Sequence, residues 1–326
     1  MTRIGVISNP NSQYNRQDGL ADIAAVADDR PGLKHEILSD FTALDDIVDR
    51  LMRDDVEIIA VNGGDGTVQA VLTALAGRDQ TRRLPKLAIL QGGMTNVIAK
   101  DVGFSGKPAK GLNRLIEGLA GAKNGAGKTP EDLTRPLIGL VTGEQKKIVY
   151  GMFFGAAGFY QAVLLAQNNV RPKGFAGNAA SATSLIWVLA RLLLGRPGAD
   201  DPLYRGETMA FDLDGVAVDE APYLVLIATT LERLMLGLMP FWGQGDEKIR
   251  YTSIAFPPKR LASAILPVLR GKPRDWMENN GYQSGAVADM VIDIKSPVVL
   301  DGEIFHPEPD CPIRLTGDRQ ATFFRC

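Results

Sequence analysis

Short apolar runs and helix-spaced apolar positions alternate through the first third of the chain. Ile4-Gly5-Val6-Ile7 stops at the turn-forming cluster Ser8-Asn9-Pro10-Asn11-Ser12, as a buried strand entering a loop does. Leu20–Ala27 predicts a helix, and His35-Glu36-Ile37-Leu38 predicts a second strand. Phe41, Leu44, Ile47, Val48 and Leu51 recur at helical spacing. Val56–Val61 is the clearest buried strand. Beyond its glycine loop, Val68, Val71, Leu72 and Leu75 mark one helix face, and Leu87–Leu90 is another strand ending in glycines. Strand–loop–helix units in series predict a parallel sheet covered by helices.

The pattern then changes. Asn124–Pro130 reads as a linker. Beyond it, strands are predicted at 137–141, 147–154, 208–213, 223–229, 248–254 and 290–294, with helices near 156–169 and 179–194. Asp212-Leu213-Asp214-Gly215 reads as a hairpin turn. The expected organisation is an α/β nucleotide-binding domain over residues 1–130 and a β-rich, largely antiparallel domain over residues 131–310.

Composition narrows the function classes. A chain of 326 residues suits two domains. Its net charge of −2 offers no basic excess for nucleic acid, which is not an expected partner. Cys311 and Cys326 form neither a disulfide framework nor a CxxC pair, and His35 and His306 are the only histidines, so a zinc site is not expected. The opening lacks the apolar core of a signal peptide. The longest strongly apolar stretch, Leu185–Leu194, carries Arg191 and falls short of the roughly 20 residues a membrane span needs. A cytoplasmic protein without a transmembrane segment is expected.

The chemistry concentrates in three loops. Asn62-Gly63-Gly64-Asp65-Gly66-Thr67 follows a buried strand and opens a helix. Glycines let backbone approach a phosphate closely, and the amides of a helix N-terminus favour an anion. Thr67 can cap that helix or donate to a phosphate oxygen. Asp65 would repel phosphate unless it holds a metal ion or the acceptor hydroxyl. Neither G-x-x-x-x-G-K-[ST] nor an early G-x-G-x-x-G occurs, which excludes a Walker site and argues against a dinucleotide redox enzyme. The second loop, Gln91-Gly92-Gly93-Met94-Thr95-Asn96, again joins a strand to a helix, and Asn96 either contacts a nucleotide or caps that helix. The third, Leu300-Asp301-Gly302-Glu303, reads as a turn or as a source of a carboxylate for an acceptor hydroxyl.

At these residues the chain resembles the diacylglycerol kinase catalytic-domain family, which includes sphingosine, ceramide and bacterial lipid kinases. The family's G-G-D-G-T is matched by Gly63–Thr67. Its N-P-x-[SA]-G is matched by Asn9-Pro10-Asn11-Ser12, with Gln13 in place of Gly. In its P-x-G-T-x-N-D segment Gly93 and Asn96 match and Thr95 is a common residue, while Met94 replaces Thr and Val97 replaces Asp. Its D-G-E is Asp301-Gly302-Glu303.

The resemblance implies two domains with a cleft between them, ATP with Mg²⁺, and a lipid hydroxyl as acceptor. It implies that Glu303 accepts the proton and that Asp65 acts in catalysis. The nucleotide would meet Asn9–Ser12, Gly63–Thr67 and Gly93–Asn96. Asp246, in Gly243-Gln244-Gly245-Asp246, lies where relatives carry acidic residues and is the metal-ligand candidate, against a plain hairpin turn. The tail, 311–326, would return to the first domain. A homodimer and a peripheral position on the inner membrane face are further expectations. Leu185–Arg196, with Trp187 and two arginines, is the candidate membrane contact, aided by Arg171 and Lys173; the alternative is a core helix. NAD kinases and phosphofructokinases share G-G-D-G, so a soluble-metabolite kinase, or a regulator that kept the fold without turnover, are the competing readings.

Overall fold

The computed structural model describes residues 2–30, 32–124, 131–144, 147–169, 204–234 and 237–325. The candidate membrane segment Leu185–Arg196, with Arg171, Lys173 and the helix expected at 179–194, lies outside the described residues, as does nearly all of the expected linker. The chain divides into two units, Met1–Arg135 with Gln320–Cys326, and Pro136–Arg319.

The first unit begins β1 (Ile4–Ser8), α1 (Leu20–Asp28), β2 (Leu33–Ile37), α2 (Leu44–Arg53), β3 (Ile58–Gly63) and α3 (Asp65–Ala76). It continues with β4 (Lys86–Gln91), α4 (Val97–Val102), α5 (Pro108–Asn124) and β5 (Glu131–Pro136). The second unit holds β6 (Ile138–Val141), β7 (Val149–Gly151), β8 (Phe153–Ala157), α6 (Gly158–Asn169), β9 (Glu207–Leu213), β10 (Val216–Thr229) and β11 (Ile249–Ala255). It ends with α7 (Leu261–Leu269), β12 (Tyr282–Val287), β13 (Asp289–Asp293), β14 (Val298–Leu300), β15 (Glu303–Phe305) and β16 (Ile313–Thr316). The chain then returns to the first unit as β17 (Gln320–Arg325).

The first sheet runs β2-β1-β3-β4-β17-β5. Strands β1 to β4 pair in parallel, and β17 joins β4 in parallel at Phe323 and Leu87. Every residue of β3 is buried, as expected of a parallel strand covered on both faces. Helix α2 shows why the pattern was readable. Leu44, Ile47, Val48 and Leu51 are buried on one side, while Asp45 and Asp49 face Arg78 at 2.6 and 2.9 Å. Helix α5 buries Leu112 and Leu115, and Ile116 and Leu119 pack against the same core. Asp101, at the end of α4, is buried and paired with Arg135 of β5 at 3.4 Å.

The second sheet runs β15-β14-β8-β10-β9-β13-β16-β6-β7, with β11 on β10 and β12 on β11. Its pairings are antiparallel. Strand alternation sets its core: Met290 and Ile292 of β13, and Ile313 and Leu315 of β16, point inward, while Arg314 faces outward to Asp289. The hairpin at Asp214-Gly215 forms, with both residues at positive φ. The strand expected over 147–154 is two strands broken at Met152. There the Met152 and Phe153 amides turn to Asp301, and the Met152 carbonyl accepts from the Thr229 hydroxyl and the Thr230 amide. Strand β10 is longer than the 223–229 expected, because it pairs first with β9 and then with β8 and β11. Among the described residues no helix is long and apolar enough to cross a membrane.

Within the stretch 311–326, Ile313–Thr316 stays in the second sheet and the chain enters the first sheet only at Gln320. Phe323 of β17 is fully buried. Phe323→Ala is expected to lower stability by about 3–5 kcal/mol, read as a lower denaturant midpoint. A loss below about 1 kcal/mol would show that the sheet does not depend on this strand.

Candidate functional site

The loops after β1, β3 and β4 leave the same, carboxyl end of a parallel sheet, where α/β folds place their ligands. Here they are bonded to one another. The Asn9 amide nitrogen donates to the Asn62 carbonyl at 3.0 Å, and its side-chain Nδ2 donates to Thr67 Oγ1 at 2.9 Å. Asn9 Oδ1 accepts from the Asn11 amide at 2.9 Å, which closes the Asn-Pro turn. Asn15 Nδ2 bridges the carbonyls of Asn9 (2.7 Å) and Asn62 (3.1 Å). Asn62 Nδ2 donates to Ser8 Oγ and to Asn15 Oδ1, both at 3.0 Å. Ser8 Oγ also meets His35 Nε2 at 2.9 Å. Burial holds the His35 imidazole below its ordinary pKa, against the carboxylates of Asp28 and Glu36. Ser8, Asn9, Asn15, Asn62 and Thr67 are all buried, and Asn62 Oδ1 has no hydrogen-bond partner among the described residues.

The two glycine loops touch backbone to backbone. A Cβ on Gly93 would overlap the Gly64 Cα, and one on Gly92 would lie 2.8 Å from Asn62 Oδ1 and 2.9 Å from the Gly63 nitrogen. The Gly92 amide donates to the Gly63 carbonyl, and the Gly92 carbonyl accepts from Tyr14, each at 3.1 Å. Three loops therefore form one assembly.

Asp65 has a definite task in it. Its carboxylate oxygens accept from the amides of Val97 and Ile98, each at 3.1 Å. The first glycine loop thus caps the helix that follows the second. Burial pushes the Asp65 carboxyl up, while those amides and the Lys100 ammonium pull it back; burial lowers Lys100, with Asp65 opposing. Asn96 does not cap α4 with its side chain. It sits in the left-handed region at φ 50° and grips Gly93 instead, accepting from its amide at 2.9 Å and donating to its carbonyl at 2.7 Å. Nor is Thr67 the cap of α3. That position is Gly64, and Thr67 lies inside the helix. Pro10 and Met94 are partly exposed, Asn11 is exposed and Ser12 is buried.

Residues 3–123 match the diacylglycerol kinase catalytic domain. The match covers this segment of the chain. The matched segment contains all three loops. No curated protein sequence matches the chain. A crystal structure of a diacylglycerol kinase from Bacillus anthracis str. Sterne is 15% identical, with a TM-score of 0.61 over 99% of this chain and 97% of its own. A candidate diacylglycerol kinase from the same organism is 16% identical, with a TM-score of 0.67 over the same shares. These likenesses show that both units share the fold of those proteins.

Outside the matched segment, Asp246 and Glu303 belong to the second unit and are exposed. Asp301 is buried, and its oxygens accept from Met152 at 3.0 Å and Phe153 at 2.9 Å. Asp301 and Gly302, at φ 50° and 92°, form the two-residue turn that pairs Leu300 with Glu303. Asp301 thus fixes the turn that carries Glu303. Sequence reading missed Ser8, Asn15 and His35; Ser8 and Asn15 lie close to the Asn-Pro turn in sequence, while His35 sits mid-strand in β2 with no local signal.

Two contrasts test this geometry. Gly64→Ala places its Cβ 3.4 Å from Gly93, an ordinary contact, and is expected to fold like the parent. Gly93→Ala must separate two backbones and should cost about 1–3 kcal/mol; equal melting temperatures for the pair would refute the contact. Asp301→Ala strands two buried amides and should cost about 2–4 kcal/mol, measured by urea unfolding, whereas the exposed Glu303→Ala should cost less than about 0.5 kcal/mol.

Proposed function

We propose that the chain is a kinase that transfers the γ-phosphoryl group of ATP to the hydroxyl of a diacylglycerol or sphingoid-like lipid. The observation that carries this reading is the three-loop assembly at the carboxyl ends of β1, β3 and β4. The N-terminus of α3, 12 residues long, opens beside it. The first intrahelical acceptor of α3 is the Gly64 carbonyl, bonded by Thr67 and Val68. The preceding amides, those of Asp65 and Gly66, are the donors a helix N-terminus offers to phosphate. Glycines at 63, 64, 92 and 93 keep side chains away from that approach.

Phosphoryl transfer depends on positioning and on neutralising charge. Asp65 is a positioning residue in this scheme, since it locks the two glycine loops together. Glu303, the acid of the D-G-E segment, takes the proton from the acceptor hydroxyl. Mg²⁺ would supply charge neutralisation at the β and γ phosphates and usually takes only one or two protein carboxylates. Among the described residues no three His, Cys, Asp or Glu side chains converge as a metal cage. Asp246 is offered as a single contributing carboxylate.

The test is a radiolabelled ATP assay over diacylglycerols, sphingoid bases, NAD and sugars. Label is expected in a lipid; label in NAD or a sugar alone would replace the acceptor class, and none in any would leave a regulator. Asp65→Asn retains one acceptor oxygen but sets an NH₂ against the other amide. It should keep the fold and lower kcat by about 100-fold or more. Near-normal turnover would sink its role. Glu303→Gln should lower kcat at unchanged ATP affinity by calorimetry; lost ATP binding would show a different role.

A further inference from the structure

Helix α7, Leu261-Ala-Ser-Ala-Ile-Leu-Pro-Val-Leu269, contains no charged residue. A helix that is apolar around most of its circumference is ordinarily enclosed. Here one stripe is covered. Ala264 and Val268 are buried, and with Leu261 they pack against Met277, Tyr282 and Trp276. A second stripe, Ala262, Ile265, Leu266 and Leu269, follows the same i, i+3, i+4, i+7 spacing and is not part of that core. Ala262 is exposed, Ile265 and Leu269 are partly exposed, and Leu266 is 53% exposed.

Charge brackets this stripe. Lys259 and Arg260 precede α7, and Arg270, Lys272 and Arg274 follow it; all five are exposed. No acidic residue occurs between Lys259 and Arg274, in a chain whose net charge is −2. Asp275 and Glu278 come only afterwards. Arg260 lies 5.5 Å over the partly buried Trp276 ring. The helix is anchored at both ends, by the Tyr282 hydroxyl on the Lys259 carbonyl at 2.7 Å and the Met239 amide on the Leu269 carbonyl at 3.0 Å. The exposed stripe is therefore preformed.

We propose that α7 docks the protein on an anionic phospholipid surface, with Ile265, Leu266 and Leu269 entering the acyl boundary and the flanking cations meeting headgroups. An uncharged helix face with cations at both ends fits an interfacial helix. The cations on both sides of the stripe favour a surface of continuous negative charge, such as anionic headgroups, over a neutral apolar partner. The inference rests on the lipid-kinase reading only for its purpose, because binding is measured without catalysis.

The experiment floats the full chain with vesicles of phosphatidylcholine alone and of phosphatidylcholine with phosphatidylglycerol. Binding is expected only to the anionic vesicles, and should fall as salt rises. Leu266→Asp should weaken it at least tenfold. Arg270→Glu with Lys272→Glu should weaken it by roughly fivefold or more per position. Both variants should keep the parent melting temperature and the parent rate on detergent-dispersed lipid; if Leu266→Asp fails to fold, the charge reversal decides. Parental vesicle binding by the folded variants would overturn the proposal. So would a dimer, split by Leu266→Asp, that ignores vesicles, since the stripe would then belong to a second copy. A chain that floats through α7 but phosphorylates no lipid would instead overturn the kinase reading and leave the docking face standing.

Discussion

Gly64 and Gly93 meet with no room for a Cβ on Gly93, and the organisation of the first unit's loops follows from that contact. It lets Asp65 reach the amides of Val97 and Ile98, so the start of α4 is fixed by the loop before α3. It brings the Gly92 carbonyl within reach of Tyr14, which draws in the Asn-Pro turn. A larger residue at 93 would separate two helix starts and a turn at once. The demand is on volume, and only glycine meets it.

The layer beneath the loops is polar and buried, an expensive arrangement unless its groups are paired. Asparagine suits it because each side chain both donates and accepts. Asn9, Asn15 and Asn62 use that capacity to bind one another's backbone and side chains, so each loop's position depends on the others. Asn62 Oδ1, without a partner among the described residues, is the exception, and a buried acceptor of this kind calls for a water or a ligand donor. Networks of this type specify a single arrangement more than they add stability.

Much of the first unit was legible because β1, β3 and β4 are apolar runs that end in Gly or Asn, and α2 shows one uninterrupted apolar stripe. Helix α5 carries Leu112, Leu115, Ile116 and Leu119 at helical spacing, but Gly111, Gly118 and Gly121 mask it. Strands β5 and β12 are polar and pair with strands distant in sequence, while β14 and β15 are three-residue strands, too short to show a pattern. The break at Met152 could not be read locally, since the carboxylate that causes it is Asp301. Within the site, the glycines announced themselves by composition. The task of Asp65 did not, because capping α4 from another loop leaves no trace in spacing. Of the two readings of Asn96, nucleotide contact or helix cap, the cap fails, because its left-handed backbone turns the side chain onto Gly93.

The second unit is inserted between β5 and β17, and its two ends meet: the Leu137 amide donates to the Arg319 carbonyl at 2.9 Å. Joining β17 to a sheet whose other strands lie far back in the chain would ordinarily carry the entropy of closing a very long loop. A folded insert with adjacent ends removes most of that cost, because it delivers Gln320 next to the chain leaving Pro136. Completion of the first sheet is then easier once the second unit has folded. A lesion deep in the antiparallel core would restore that loop-closure cost and so weaken the hold of β17 on the sheet that bears the glycine loops.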